Sequence, residues 1–211
     1  AAEKAGAKKV YLEEEPKVAA IGAGLDISKP SGSMVIDIGG GTTDIAILSL
    51  GDIVISTSIK IAGNSFDNEI MKYIKNKYKL LIGERTAEEI KLKIGTVYSN
   101  KKKEKMEVRG RNIVTGLPNT ITISSEEIEE ALKDNIKLII HHTKSILEQA
   151  PPELSADIID KGIVLTGGGS LLDGIDKVLS KELDIPVYIA ENPLTCVAEG
   201  TGIMLDNLDL I

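Results

Sequence analysis

The apolar and polar positions of the chain change their period several times, and each change predicts a new element. Residues 34–60 predict three strands, Met34–Ile38, Ile45–Leu50 and Ile53–Ile59, separated by glycine-containing turns. The tight connection Leu50-Gly51-Asp52 predicts that the last two strands are antiparallel neighbours. Nearer the start, Lys8–Glu15 predicts a short strand and Pro16–Leu25 a small-residue helix with proline in its first turn.

The middle of the chain predicts a small α+β subdomain over roughly residues 66–134. Apolar residues at helical spacing predict a helix over Ser65–Tyr78, and Thr86-Ala87-Glu88-Glu89 has the form of a capping box that starts another. The alternating stretch Glu104–Ile123 contains Gly116-Leu117-Pro118-Asn119 and therefore predicts a hairpin.

The rest of the chain predicts one long helix and then alternating strands and helices. A second capping signature at Ser124 starts a helix of about 25 residues that proline stops at Pro151-Pro152. Strands follow at Gly162–Thr166 and Val187–Ala190, and helices at Ser170–Leu183 and Pro193–Leu205. This alternation is typical of an α/β fold.

Composition limits the classes of partner. The 211 residues carry a net charge of −7 and include one Phe, five Tyr and no Trp, so neither a basic surface nor an aromatic platform is available for nucleic acid. The lysine run at residues 101–105 is interrupted by Glu104, which favours a solvated loop over a polyanion site.

Other sequence features bear on the chain's compartment and processing. Cys196, the single cysteine, is expected to be a small buried side chain in a reducing compartment. No apolar run has the length of a membrane span, and no signal peptide is expected. The start without Met suggests that an upstream segment was removed.

The first candidate site is a glycine turn between two strands, Gly39-Gly40-Gly41-Thr42-Thr43, preceded by Asp37. Without Cβ atoms, backbone N–H groups can converge on a phosphate, and the two threonines add hydroxyl donors. Asp37 suits a hydrated Mg²⁺, which takes few protein oxygens directly. A strand rather than a helix follows, and no P-loop lysine is present, so this is neither a Rossmann nor a P-loop motif. The alternative is a mobile hairpin turn.

A second glycine turn, Gly167-Gly168-Gly169, is predicted between a strand and a helix. Ser170 is predicted to cap the helix, whose positive dipole end favours anions or polar ligand edges. The alternative is an ordinary tight strand-to-helix turn. Two such turns in one acidic chain favour a shared ligand.

Several short strings stand out in order along the whole chain, namely Leu12-Glu13-Glu14-Glu15-Pro16, Asp37 to Asp44, Gly83-Glu84-Arg85-Thr86-Ala87-Glu88, Thr115-Gly116-Leu117-Pro118, Pro151-Pro152-Glu153-Leu154 and Leu165-Thr166-Gly167-Gly168-Gly169. In order and spacing these strings resemble the MreB/Mbl family of bacterial actins. Glycine triplets occur throughout the wider superfamily of actins, sugar kinases and heat-shock chaperones, whereas the strings at 83–88 and 115–118 narrow the resemblance to the MreB branch.

The resemblance implies an actin-like (ribonuclease H-like) α/β ATPase lobe with a mixed sheet and a small α+β subdomain. Residues 28–65 and 135–203 would form the larger subdomain of the second lobe, and 66–134 the smaller one. Residues 1–27 and 204–211 would be remnants of the first lobe, whose own phosphate loop has no counterpart in this sequence.

The resemblance also implies an ATP/ADP and Mg²⁺ site. Gly39, Gly40, Gly41, Thr42 and Thr43 would face the phosphates; Glu88, Glu89, Ile90 and Lys91 the ribose and base; Gly168, Gly169, Ser170 and Leu171 the adenosine side; and Asp37 the metal. The catalytic residues would be Glu15, which orients the attacking water, and Thr42, which assists it. Glu15 is preferred to Glu14 because it adjoins Pro16.

The implied function is that of a filament protein. The intact protein is expected to be a weak ATPase that polymerises with itself at the cytoplasmic face of the inner membrane, contacts that membrane through the missing lobe, and works with cell-shape and wall-synthesis membrane proteins. This chain alone should have negligible ATPase activity. The alternatives are half of a sugar- or acetate-kinase-type phosphotransferase, or a module that binds partners independently of nucleotide; a chaperone-type ATPase would need a peptide-binding domain after residue 211.

Overall fold

The computed structural model describes residues 1–98 and 103–207. Lys101 and Lys102 of the lysine run, and residues 208–211 of the last predicted segment, lie outside the described residues. In chain order the elements are a 3₁₀ helix Glu3–Ala5, α1 Glu15–Gly22, β1 Ser33–Ile38, β2 Thr43–Ser49, β3 Asp52–Ile59, α2 Gly63–Tyr78, β4 Leu80–Leu81, α3 Glu84–Ile94, β5 Lys105–Asn112, β6 Pro118–Ser124, α4 Ser125–Gln149, α5 Pro152–Lys161, β7 Ile163–Thr166, a 3₁₀ helix Gly168–Leu171, α6 Ile175–Leu183, β8 Val187–Ile189 and α7 Cys196–Asp206.

A mixed five-stranded sheet forms the centre of the molecule, with the strand order β3-β2-β1-β7-β8. β1, β2 and β3 are antiparallel to one another in turn, whereas β1, β7 and β8 run parallel. The predicted hairpin between β2 and β3 is therefore confirmed. The two glycine turns follow β1 and β7. These strands are parallel neighbours, so both turns lie at the same end of the strands, where their C-termini meet.

The two faces of β1 pack against different layers because side chains alternate along a strand. Ile36 and Ile38 belong to the large core that includes residues of α2, α3 and α4. Val35 packs instead with Ala19 and Ala20 of α1. Asp37 follows Val35 by two residues on the strand, so its side chain lies on the same face of the sheet, the one covered by α1.

A separate three-stranded sheet, in the order β4-β5-β6, lies in the segment for which a small α+β subdomain was predicted. The predicted hairpin is confirmed as β5 and β6, and Pro118 is the first residue of β6. Phe66, Ile70 and Ile74 of α2, together with Ile90 of α3, are fully buried and join this sheet to the main core.

The long helix α4 is confirmed at 25 residues. Its capping box is present, with the Ser124 side chain accepting from the Glu127 N–H and the Glu127 side chain accepting from the Ser124 N–H. The following helix, α5, whose first residue is Pro152, was not predicted from the sequence. Proline suits that position because its missing N–H has no partner in a first helical turn anyway.

One predicted strand is absent, one helix start is wrong and one predicted helix is interrupted. Lys8–Glu15 forms no strand in the described structure, and α1 begins at Glu15 itself. Thr86 does not cap α3, which begins at Glu84 after Gly83. The single helix predicted over Ser170–Leu183 is interrupted, because Gly174 adopts φ +80° between the 3₁₀ helix and α6.

Helices α1 and α7 cross with their backbones in contact. A Cβ on Gly22 would lie 1.8 Å from the Cys196 carbonyl oxygen, and one on Gly200 would lie 2.0 Å from the Val18 carbonyl oxygen. Cys196 is 1% exposed, so the prediction that it is buried is confirmed. Among residues 1–98 and 103–207, no helix has both the length and the apolar character needed to cross a membrane.

Candidate functional site

The first glycine turn is held by its carbonyl groups. The N–H of Gly39 closes the hairpin by donating to the Thr42 carbonyl at 2.9 Å. The carbonyls of Gly39 and Gly40 accept from Gly63 and Asn64 at the start of α2, at 3.1 and 2.8 Å. In the described part of the chain no acceptor takes the N–H groups of Gly40, Gly41 and Thr42. These three donors are therefore available to an external anion.

The fold itself does not require glycine at the tip of this turn. A Cβ on Gly40 would lie no closer than 3.6 Å to its nearest neighbour, the Asn64 side chain, and one on Gly41 would meet nothing within 4 Å. Neither residue adopts a positive φ. The missing side chains leave a cradle that a ligand can enter, which is where a phosphate would need room to approach the backbone.

The second glycine turn is glycine-rich for a different reason. Gly167 has φ +79°, and its Cβ would lie 2.3 Å from the Ile38 carbonyl oxygen. A Cβ on Gly169 would lie 2.3 Å from Ile38 Cγ2. Close packing of the second turn against the end of β1 therefore demands these two glycines and brings the two turns together.

Both turns line a single cavity of about 330 Å³, a volume within the range of small-ligand sites. Seven of the residues predicted to bind a cofactor line it, namely Gly39, Gly40, Glu88, Lys91, Gly168, Gly169 and Leu171. The two glycine turns therefore face a common space, as a shared ligand would require.

Four predicted cofactor-binding side chains are engaged elsewhere. Thr43 is buried and its hydroxyl donates to the Ile61 carbonyl at 2.6 Å. Ser170 is also buried, and its hydroxyl donates to the Gly167 carbonyl at 2.6 Å instead of capping α6. Ile90 belongs to the core, and Glu89 pairs with Lys93 on the surface. The structure does not bring these four side chains to the cavity, and Gly41 and Thr42 of the first turn are not among its lining residues either.

An apolar rim, formed by Leu92, Leu171 and Leu194, was largely missed from the sequence. These side chains line the cavity although they are 71%, 52% and 70% exposed. Leu92 could have been noticed in the sequence, because it is an apolar residue that lies outside the buried stripe of α3 formed by Ala87, Ile90 and Ile94. The other cavity residues not predicted are Gly63, Asn64, Phe66, Asp67, Gly95, Leu172 and Asp173.

One β-bridge joins two segments that line the cavity. Thr96 and Asp173 form an isolated parallel β-bridge, and the Val97 N–H donates to the Asp173 carbonyl at 2.9 Å. This bridge joins the segment after α3 to the loop after the second glycine turn. Two distant parts of the chain are thereby held as walls of the same space.

Three carboxylates lie on the α1 side of the sheet, at the strand end that carries the turns. Asp37 and Asp44 are directly opposed in the β1–β2 pair. Burial raises the pKa of Asp37, a hydrogen bond from Thr166 at 2.6 Å opposes that rise, and the Asp44 charge adds to it. Burial also raises the pKa of Glu15, with further contributions from Asp37 and Asp44. The shifts show that these like charges act on one another.

This arrangement fits a hydrated metal better than a protein cage. No group of three or more His, Cys, Asp or Glu side chains within the described ranges could hold a metal ion. Mg²⁺, however, is usually held by one or two carboxylates together with waters and substrate phosphates. Asp37, near the end of β1 and two residues before the first glycine turn, supplies that kind of ligand.

Comparisons with known proteins agree along the whole chain. The family model described as MreB/Mbl protein matches residues 1–211. The cell shape-determining protein Mbl of Bacillus cereus is 66% identical over 209 residues, which make up 99% of this chain and 63% of that protein. This chain therefore spans about 63% of the length of that relative.

Solved structures show the same similarity. The crystal structure of MreB 5 of Spiroplasma citri bound to AMPPNP superimposes with a TM-score of 0.96 at 46% identity, covering 99% of this chain and 63% of that one. The ADP-bound structure of the same protein gives 0.95 at 47% identity, covering 98% and 63%.

Proposed function

The chain belongs to the MreB/Mbl family of actin-like, cell shape-determining proteins, and from that premise we propose that it is the nucleotide-binding second lobe of a cytoskeletal filament protein. The observation that carries the proposal is the single cavity shared by the two glycine turns and by Glu88 and Lys91. The AMPPNP- and ADP-bound structures of the Spiroplasma citri relative support an adenine nucleotide as its ligand.

Each part of the nucleotide has a matching part of the site. The free N–H groups of Gly40, Gly41 and Thr42 would donate to phosphate oxygens, which are the acceptors that such converging amides favour. The leucine rim of Leu92, Leu171 and Leu194 would cover the flat faces of the adenine base. Glu88 and Lys91 stand on α3 with side chains that can hydrogen-bond the sugar.

The carboxylates supply the remaining roles. Asp37 would hold a hydrated Mg²⁺, whose charge, when it is bound, offsets that of the phosphates. Glu15 would orient the attacking water, with Thr42 beside the phosphate. Glu15 is favoured over Glu14 in this role because its pKa is raised by burial and by Asp37 and Asp44, which places it within the electrostatic reach of the same cluster.

We also propose the subdomain division of an actin-like second lobe. The five-stranded sheet supports a larger subdomain of residues 28–65 and 135–203, and the three-stranded sheet a smaller one of residues 66–134. Residues 1–27 would lead in from the first lobe, although α1 packs on the larger sheet in this chain. Residues 204–211 would return to the first lobe.

The whole protein would hydrolyse ATP slowly and self-associate into filaments at the inner membrane face, where it would act with wall-synthesis proteins. This chain alone would bind weakly, because phosphate contacts contribute about 1.5–3 kcal/mol each and the first lobe would supply several of them. At about 1.4 kcal/mol per tenfold, a micromolar site would become millimolar or weaker, with negligible ATPase activity.

Titration of the isotope-labelled 211-residue chain with ADP, followed by NMR, tests the proposal. We expect the backbone amide signals of Gly40, Gly41 and Gly168 to shift together with one millimolar dissociation constant. Electron microscopy of the full-length protein with and without ATP tests filament formation. Amide shifts confined to residues far from both glycine turns, or none at saturating ADP, would contradict the assignment.

A further inference from the structure

A largely buried ion pair lies in the wall of the cavity. Lys91 Nζ on α3 is 2.9 Å from Asp67 Oδ2 on α2, and their side chains are only 15% and 13% exposed. Lys91 Nζ also donates to the Gly63 carbonyl at 3.3 Å. An ammonium group has three N–H donors, so one donor of Lys91 remains for a ligand. All three residues line the cavity.

Stability of the fold does not explain this pair. A buried salt bridge repays its desolvation only when the remaining lone pairs are also satisfied. Asp67 Oδ1 is buried and has no hydrogen-bond partner in the part of the chain that the structure describes. A buried carboxylate oxygen left unpaired is costly, and such exceptions call for an explanation outside packing. Asp67 lies instead in the wall of the cavity, where its other oxygen holds Lys91.

The charges around Lys91 indicate what its free donor can bind. The Asp67 carboxylate, 2.9 Å away, locally neutralises the positive charge of Lys91, and Glu88 and Asp173 add two more carboxylates to the lining of the same cavity. A neutralised ammonium attracts a phosphate weakly, but it still donates well to an uncharged oxygen such as a hydroxyl.

The location of Lys91 agrees with a sugar rather than with phosphates or base. A Cβ on Gly63 would lie 3.7 Å from Lys91 Nζ and 3.4 Å from the Gly39 carbonyl oxygen, which places the ammonium beside the first glycine turn. Leu92, the next residue on α3, belongs to the apolar rim of the same cavity. The ammonium therefore lies next to the place proposed for the phosphates, on a helix that also contributes to the place proposed for the base.

We propose that Asp67 is a positioning residue that fixes and neutralises Lys91, so that the remaining ammonium N–H donates to a hydroxyl oxygen of the ribose. Asp67 thereby makes the site select nucleotides that carry an intact ribose. The inference rests on the proposed function, because it requires an adenine nucleotide in the cavity. It concerns a residue that acts through Lys91 and touches no reacting atom.

The test compares ADP with 2′,3′-dideoxy-ADP on the 211-residue chain, using NMR-detected dissociation constants. In the wild type, removing the hydroxyls should weaken binding about fivefold, which is roughly 1 kcal/mol at 1.4 kcal/mol per tenfold. In Asp67→Asn this ratio should fall close to one. Lys91→Met should give the same low ratio, and the double variant should show no further change.

The matched control is Glu69→Gln, which removes a carboxylate from the same helix where it pairs with Lys72 on the surface. Its ratio should equal that of the wild type. If Asp67→Asn does not fold, Asp67→Glu replaces it: this variant keeps the charge but moves the carboxylate by one methylene group, so Lys91 is displaced and the ratio should again fall.

The outcomes separate this inference from the proposed function. If Asp67→Asn weakens ADP and dideoxy-ADP by the same factor, Asp67 is only structural and the inference fails while nucleotide binding stands. An unchanged ratio in Asp67→Glu has the same meaning. If neither nucleotide shifts the amides of Gly40 and Gly168 in the wild type, the proposed function itself fails.

Discussion

The tip of the first glycine turn is a position where stability and ligand binding should respond in opposite directions. Gly40 has no positive φ, and the nearest atoms to an added Cβ are those of the Asn64 side-chain amide, at 3.6 and 4.0 Å. Alanine at residue 40 therefore fits the folded chain. The same methyl group occupies the cavity beside the N–H groups that we assign to the phosphates.

The expected magnitudes follow from these contacts. Replacing glycine by alanine where the backbone tolerates it stabilises a protein by about 0.4–1 kcal/mol, because the unfolded chain loses entropy. For a chain of this length that corresponds to a rise in Tm of about 1–4 °C. Losing one charge-assisted hydrogen bond, about 1.5–3 kcal/mol, should weaken ADP binding roughly tenfold to a hundredfold.

Thermal unfolding without nucleotide and NMR-detected ADP titration measure the two effects on Gly40→Ala separately. Gly169→Ala is the contrasting variant, since its Cβ would lie 2.3 Å from Ile38 Cγ2 and should destabilise the chain by about 1–3 kcal/mol. The reasoning is refuted if Gly40→Ala lowers Tm as far as Gly169→Ala does, or if it leaves ADP affinity unchanged.

Three further predictions concern the rest of the molecule. Gly22→Ala should destabilise the chain by about 1–3 kcal/mol in thermal unfolding, because α1 and α7 must separate; Gly202→Ala, whose Cβ meets nothing within 4 Å, should not. Burial alone would raise the pKa of Glu127, but hydrogen bonds from its neighbours outweigh burial and lower it. Its stabilisation is therefore present above the unfolded pKa of about 4.3 and lost as pH falls through the lower folded value, so Glu127→Gln should flatten the stability profile at acidic pH. Asp37→Asn removes a buried charge opposite Asp44, so it should raise Tm without nucleotide and abolish the Mg²⁺-dependent part of ADP binding.

Elements specified by short-range chemistry were predictable from the sequence. The β2–β3 hairpin depends on a two-residue turn in which Leu50 and Gly51 both take positive φ, and the α4 start depends on a capping box between Ser124 and Glu127. In each case a few adjacent residues make the decisive contacts, so the pattern and the structure agree.

Elements that depend on distant partners were not predictable. Val10, Tyr11 and Leu12 have strand-forming character but are 41%, 55% and 91% exposed, because no strand pairs with them among residues 1–98 and 103–207. The break before α6 is a packing effect, since a Cβ on Gly174 would lie 2.5 Å from the Tyr98 Cβ. Neither the lack of a partner strand nor the contact with Tyr98 can be recognised from the neighbouring sequence.

The candidate site shows the same division. The glycine turns were found because their composition is local, and Glu88 and Lys91 came from the family resemblance. The leucine rim and Asp67 were missed because only the packing of α2, α3 and the second turn brings them together. Thr43 and Ser170 were predicted to bind the ligand, but both are buried. Their hydroxyls donate to carbonyls inside the protein instead of reaching the cavity.

The Thr96–Asp173 bridge makes one backbone amide a natural reporter of the site. The Val97 N–H donates to Asp173 across the junction of the two cavity walls, so that proton exchanges with solvent only when the walls part. A molecule that touches both walls must slow this exchange, whereas one that touches a single wall need not. Deuterium uptake at residue 97 can therefore distinguish a ligand that spans the cavity from one that rests on its edge.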